Sequence, residues 1–238
     1  MRQTKLQLSE EDRAVIHDIR MKGLHQAREV NRAHVLASLD QGVPEAQIMA
    51  VRGIGRTAVW RMYALLELYA RPLRTAEPVI CIDEKSLQLI AHSRPPLPGT
   101  MPFRVEHSPT KQDCEYVRNG TTNLFVAVEP KAGRRIVEVT AQRGKIDFVT
   151  FVGDLLTNAY AKGLCQWPMP MAYAKARRVH LVLDNLNTHF RKSFDDVMGK
   201  RAAAELLRRV QFHYTPKHAR WLNMAEIEIG VLSRQCLD

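Results

Sequence analysis

The sequence predicts an α/β fold, a mixed sheet with helices packed on it, preceded by an all-α segment. Three observations carry this expectation. Residues 1–70 place apolar side chains at helical spacing and contain no strand-like run. From Arg71-Pro72 onward the period changes to short apolar runs bounded by turn residues. Those runs then follow the order strand, hairpin, helix, strand, helix, strand, helix.

Each element has its own signal. "LSEEDRAVIHDIRMKG" opens with Ser9 as N-cap and acids in the first turn, and Gly23 stands near its end. "HQAREVNRAHVLASLDQG" spaces Val30, Ala33, Leu36 and Ala37 helically and is closed by Gly42. Pro44 suits the first turn of a short helix over "PEAQIMAV". A tight "RGIG" separates it from a longer helix, "RTAVWRMYALLELYA", with Gly55 at the N-cap. Short helix, glycine turn, second helix is the helix-turn-helix pattern, although an ordinary small bundle reads the same way. In the DNA-binding version, Arg56, Thr57 and Arg61 lie on the part of the second helix that enters the major groove.

Beyond Pro72, "PVICIDE", "TTNLFVAVEP" and "RRIVEVTAQ" read as strands, the last two joined in a hairpin through Pro130 and Gly133. "KIDFVTFVGDLLTNAYAKG" is an amphipathic helix and "WPMPM" a loop. "RVHLVLDN" is a strand, "KRAAAELLRR" a helix, "VQFHYTP" a strand and "NMAEIEIGVLSRQCL" a final helix. The domain division expected is 1–70 and 71–238.

At 238 residues and 45% hydrophobic, the chain can bury one sizeable core and a small extra domain. No apolar run approaches the roughly 18 residues of a membrane span. The N-terminus lacks an apolar signal region, so a cytoplasmic protein is expected. Cys81, Cys114, Cys165 and Cys236 form no CxxC pair, so neither a zinc site nor a disulfide framework is expected. The formal net charge is +10. Residues 175–220 hold eleven Lys/Arg against four acids, which reads either as a solvated helix face or as a phosphate-tracking surface.

The chemistry is suggested by where the acids fall. Asp83 and Asp184 each stand at the C-terminal end of an apolar strand, the edge of an α/β sheet where ligands bind. Either one alone could simply cap a turn. Two on neighbouring parallel strands would meet. A third acid, Glu226 or Glu228, is available on the last helix; two residues apart, they face different ways. Three converging carboxylates repel unless cations neutralise them, and hard oxygen ligands suit Mg²⁺ or Mn²⁺. Two such ions about 4 Å apart support phosphoryl transfer.

Neighbouring residues keep two readings each. His189 either contacts the scissile phosphate or metal-bound water, or makes a structural hydrogen bond. Asn185 and Asn187 orient Asp184 or cap the next segment. Lys85 touches phosphate or is a surface lysine, and Trp221 stacks on a base or packs under the last helix. Strand parity turns Glu84 away from Asp83 and ranks it low as a ligand. Lys217, His218 and Arg220, just before the glutamate helix, are expected phosphate contacts.

The blocks "CIDEKS", "VLDNLNTH", "HYTPKHARWLNMAEIEIGVLSRQCLD", "EYVRNGTTNLFVAVEP" and "ELYARP" resemble bacterial insertion-sequence transposases of the mariner superfamily, over roughly residues 62–238. The resemblance implies a ribonuclease H-like fold with a DDE active site formed by Asp83, Asp184 and Glu226, with Glu228 the weaker candidate. It implies two Mg²⁺ or Mn²⁺ ions, double-stranded DNA as partner (transposon ends and target), a homodimer, and nucleoid association. It also implies a second helix-turn-helix unit and further C-terminal helices. Against that pattern the chain reads as a copy shortened internally and at its C-terminus, with the metal triad kept and end recognition or strand transfer weakened. The expected function is a DNA transposase. The alternatives are a catalytically defective, DNA-binding remnant and a structure-selective ribonuclease H-like nuclease.

Overall fold

Alternating burial along the central strands lays a hydrophobic layer on each face of one sheet. The computed structural model describes residues 6–94, 115–157, 173–216 and 220–237. Four helices come first: α1 (Glu10–Met21), α2 (Ala27–Asp40), α3 (Glu45–Arg52) and α4 (Arg56–Ala70). The sheet is built from β1 (Val79–His92), β2 (Tyr116–Glu129), β3 (Arg134–Thr140), β4 (Val179–Leu183) and β5 (Val210–Tyr214). Its helices are α5 (Lys145–Thr157), α6 (Arg191–Met198), α7 (Lys200–Leu206) and α8 (Met224–Leu232).

The strand order is β3-β2-β1-β4-β5, with β2 antiparallel to both neighbours and β1, β4 and β5 parallel. This is the expected ribonuclease H-like mixed sheet with flanking helices and a helical N-terminal segment. Ile80, Ile82, Phe125, Leu181 and Leu183 pack on one face against Phe148, Phe151, Val152 and Leu155 of α5. Cys81, Leu124, Val126, Val128 and Val182 line the other face. Burying each of the large side chains contributes about 1.5–3 kcal/mol.

The second face is covered by α8 and also by the N-terminal helices. Met62, Leu65 and Leu68 of α4 and Val35 and Leu39 of α2 share its core with the sheet. The other face of α2 (Ala33 and Ala37) packs with Ile16 of α1. The helical segment and the sheet therefore share a continuous apolar layer.

Local signals act as expected at several ends. The Ser9 hydroxyl accepts the Asp12 N–H at 3.0 Å and starts α1. Gly53 follows α3 at φ +63°, left-handed backbone that a side chain would strain. Gly133 (φ +64°) turns the β2–β3 hairpin after a 3₁₀ turn at Pro130–Ala132.

Other elements differ from the expectation. β1 runs to His92 and β2 begins at Tyr116, because the two strands stay paired in an arm beyond the core, across a register shift between Gln88 and Ile90; Asp83, expected at the end of its strand, therefore lies within β1, opposite Val126 of β2. α6 was not anticipated. Its short, mostly polar sequence has a weak signal, and only Ser193 and Phe194 are buried. The expected helix "KRAAAELLRR" divides into α7 and a 3₁₀ turn at Leu207–Arg209. α8 ends at Leu232 and continues as a π-helical turn, Ser233–Leu237. The "WPMPM" loop and the expected end of α5 beyond Thr157 lie outside the described residues. Among the described residues no helix is long and apolar enough to cross a membrane.

Candidate active site

Two apolar strands deliver the first two carboxylates. β1 and β4 pair in parallel with Val79 opposite His180 and Cys81 opposite Val182. Two rows further on, the same register sets Asp83 opposite Asp184, on strands about 4.8 Å apart. Parity turns both toward the face lined by Cys81 and Val182, the face under α8. Both are buried, at 2% and 4% exposure. Asp83 Oδ1 accepts the Glu84 N–H at 2.9 Å, and Asp184 Oδ1 accepts the Leu186 N–H at 3.2 Å in an Asx-type turn that ends the strand.

The third element is pinned to the same edge. Asn223 caps α8, its Oδ1 accepting the Ala225 N–H at 3.2 Å, while its Nδ2 donates to the Ile82 carbonyl at 2.8 Å. That bond fixes the start of α8 one residue from Asp83. Glu226 lies in the first turn of α8 and is exposed. Glu228 is held by Arg135 of β3 at 2.7 Å. At 100° per residue the two glutamates point about 200° apart. With Glu228 drawn toward β3, Glu226 projects from the opposite side of the helix. Among the described residues no three His, Cys, Asp or Glu side chains group closely enough to hold a metal ion. Glu226 is thus not closed onto the aspartates here.

His189 links the two faces of the sheet. Its Nδ1 lies 2.6 Å from Asp184 Oδ1 and its Nε2 3.3 Å from Glu84 Oε2, with the imidazole fully buried. The Nδ1 contact lacks the alignment of a hydrogen bond and is a charge contact. The ring is tilted against Phe148, centroids 4.5 Å apart. Burial opposes charge on this imidazole, but the contacts and negative charges of Asp184 and Glu84 outweigh it and raise its pKa to about 9. Parity turns Glu84 away from Asp83, as expected, yet directs it to the face from which His189 can be reached. The sequence held one signal for this contact, a histidine five residues after the strand-end aspartate.

The remaining candidates are distributed around this edge. Arg61 Nη1 donates to Asn185 Oδ1 at 3.0 Å, so one of the three expected groove-reading side chains points at the carboxylate edge. Arg56 and Thr57 are exposed at the start of α4. Asn185 also donates to the Thr215 carbonyl, which ties β4 to β5 beside Asp184. Lys85, on the α8 side, donates to Ser233 Oγ. Trp221 packs in the second core, with the Arg32 guanidinium 5.3 Å above its ring. Lys217 and His218 lie outside the described residues, and Arg220 is described only as the start of a 3₁₀ turn. Not every cation of residues 175–220 is available to a phosphate. Arg209 donates to the carbonyls of Leu156, Ala176 and Tyr173, and Arg177 pairs with Glu77.

The donor chemistry fits a hard divalent ion. Two buried carboxylates stand in register, and a third acid is mounted on the helix beside them. A family model described as "DDE superfamily endonuclease" matches residues 78–238, and the chain belongs to that family. Solved structures similar to it include the Mos1 mariner paired-end complex with Mn, at 14% identity over 90% of this chain and 67% of that one, TM-score 0.46. Another is the Mos1 transposase paired-end complex with the left transposon end, at 13% identity over 98% and 68%, TM-score 0.42. No protein of curated function matches the chain.

Proposed function

We propose that the chain is a DNA transposase whose catalytic unit, residues 71–238, hydrolyses a DNA phosphodiester and joins the freed 3′ hydroxyl to target DNA. The observation that carries this reading is the parallel pairing of β1 with β4, whose register, carried two rows past Cys81 and Val182, brings Asp83 level with Asp184 on the face under α8. Asp83 contributes its oxygens from within β1 and Asp184 from just past the end of β4, and Glu226 completes the set from α8; together they would hold two Mg²⁺ or Mn²⁺ ions. Bound there, the ions supply charge stabilisation at the phosphoryl oxygens and an activated attacking oxygen. Residues 1–70 serve DNA binding. Arg56 and Thr57 remain exposed for it, and Arg61 lies where a phosphate backbone would pass the carboxylate edge. Lys217, His218 and Arg220, which precede α8 in the sequence, are read as further phosphate contacts. The working unit is a homodimer, acting in the cytoplasm on nucleoid DNA.

Asp184→Asn tests the assignment. It should lower Mn²⁺-dependent nicking of DNA by about 10³-fold, the loss of several kcal/mol of charge stabilisation, and leave DNA binding largely intact. The open position of Glu226 favours one second reading, a DNA-binding chain without catalysis. Wild-type protein that binds DNA but gives no nicking with Mn²⁺ would establish that reading instead.

A further inference from the structure

Glu84 and His189 form a buried arrangement that the carboxylate triad does not require. Both side chains are enclosed, at 4% and 0% exposure. A buried charged cluster is seldom needed for stability, since apolar residues of similar volume commonly serve as well or better. This one stands between the two faces of the sheet. Glu84 comes from the α5 side, Asp184 from the α8 side, and the imidazole spans the strand ends between them.

His189 is held through its backbone as well as its ring. The His189 N–H donates to the Leu186 carbonyl at 3.0 Å, and its own carbonyl accepts from the Tyr214 hydroxyl at 3.1 Å. Phe148 backs the ring. Asp184 Oδ1 receives the Leu186 N–H as well as the His189 contact, so one short turn supplies two contacts to this carboxylate.

We propose that Glu84 and His189 are a positioning pair: Glu84 fixes the imidazole through Nε2, and Nδ1 holds the Asp184 carboxylate in the orientation that binds a divalent ion. The inference rests on the reading of Asp184 as an ion ligand. Groups behind a metal ligand that fix its orientation typically change metal affinity by about 10–100-fold when removed.

The two nitrogens can be separated by substitution. Asparagine places its amide near the position of Nδ1, and glutamine places its amide near Nε2. The experiment is titration of the full chain with Mn²⁺, followed by electron paramagnetic resonance of the free ion, with circular dichroism to confirm folding. His189→Gln keeps the Glu84 contact and should weaken Mn²⁺ binding by about 10-fold or more. His189→Asn keeps a polar group near the Nδ1 position but loses the Glu84 anchor and the imidazole's charge, and should lose less affinity than the glutamine variant. Glu84→Leu should weaken binding alone but add nothing to His189→Gln, because both act through the same contact.

Equal Mn²⁺ affinity in the folded glutamine, asparagine and wild-type proteins overturns the pair's role. So does an equal loss in the two His189 variants, the result expected of packing alone. If Asp184→Asn also leaves Mn²⁺ binding unchanged, the ligand reading of Asp184 fails and takes this inference with it. A loss with Asp184→Asn but none with His189→Gln removes only the pair.

Discussion

The two ends of β4 hold buried histidines whose environments act in opposite senses. At the N-terminal end His180 of β4 meets His213 of β5, Nδ1 to Nε2 at 2.9 Å. Burial, then the positive charges of Arg71 and Arg178, lowers the pKa of His180, with Glu77 pulling the other way. Burial, the neighbouring His180 and Arg71 push His213 down to about 4. Just past the C-terminal end His189 is more deeply enclosed, yet its pKa stands raised because carboxylates flank both nitrogens. Burial penalises charge at both ends, and the sign of the nearest charges decides the outcome. α4 lies along both, with Arg61 at the carboxylate edge and Arg71 near the histidine pair.

The largest test of this contrast removes the support under the charged end. Phe148 is fully buried and carries the His189 ring. Phe148→Ala should cost about 3–5 kcal/mol, seen as a drop of roughly 10 °C in Tm. A cost near that of a surface substitution would mean that the aromatic packing does not hold the His189 end.

A middling effect belongs to the neutral pair. The folded pKa of His213 lies below its unfolded value, so its stabilising contribution is complete above about pH 6.5 and is lost as pH falls toward about 4. Urea midpoints measured from pH 7 to 4 should show that decline, and His213→Gln should flatten it. An identical acid limb in the variant would assign the decline to other groups.

The smallest effect is expected at Arg61. Its bond to Asn185 is solvent-exposed, so Arg61→Ala should change stability by less than about 1 kcal/mol. If the side chain tracks phosphate, the salt dependence of DNA binding should fall by about one unit of slope, similarly across sequences. A loss confined to one DNA sequence would return Arg61 to a groove-reading role.

How much was legible follows from the range of the forces involved. Ser9, Gly53, Gly133 and the apolar runs of β1 and β4 act within a few residues and could be read directly. The length of β1 could not. Leu89 and Ile90 are exposed, and pairing with β2 rather than a buried face holds that arm together. α2 gave only one of its two buried faces, because Val35 and Leu39 become core residues only against the sheet. The candidate site divides the same way. Asp83 and Asp184 stood out as acids after apolar runs, although β1 continues past Asp83 to His92, whereas Glu84 gave no signal until His189 lay beside it, 105 residues later in the chain.

By itself, then, the sequence determined the order of the main elements other than α6, the two aspartates that follow apolar runs and the glutamates offered by the last helix, because period, capping and turn chemistry are local. Only the tertiary structure decided which residues share a layer. It brought α4 onto the sheet, set Asp83 in register with Asp184, drew Glu228 to Arg135 and enclosed His189 between acids from opposite faces. Those outcomes depend on strand pairing and burial across the whole chain, which no short window of residues contains.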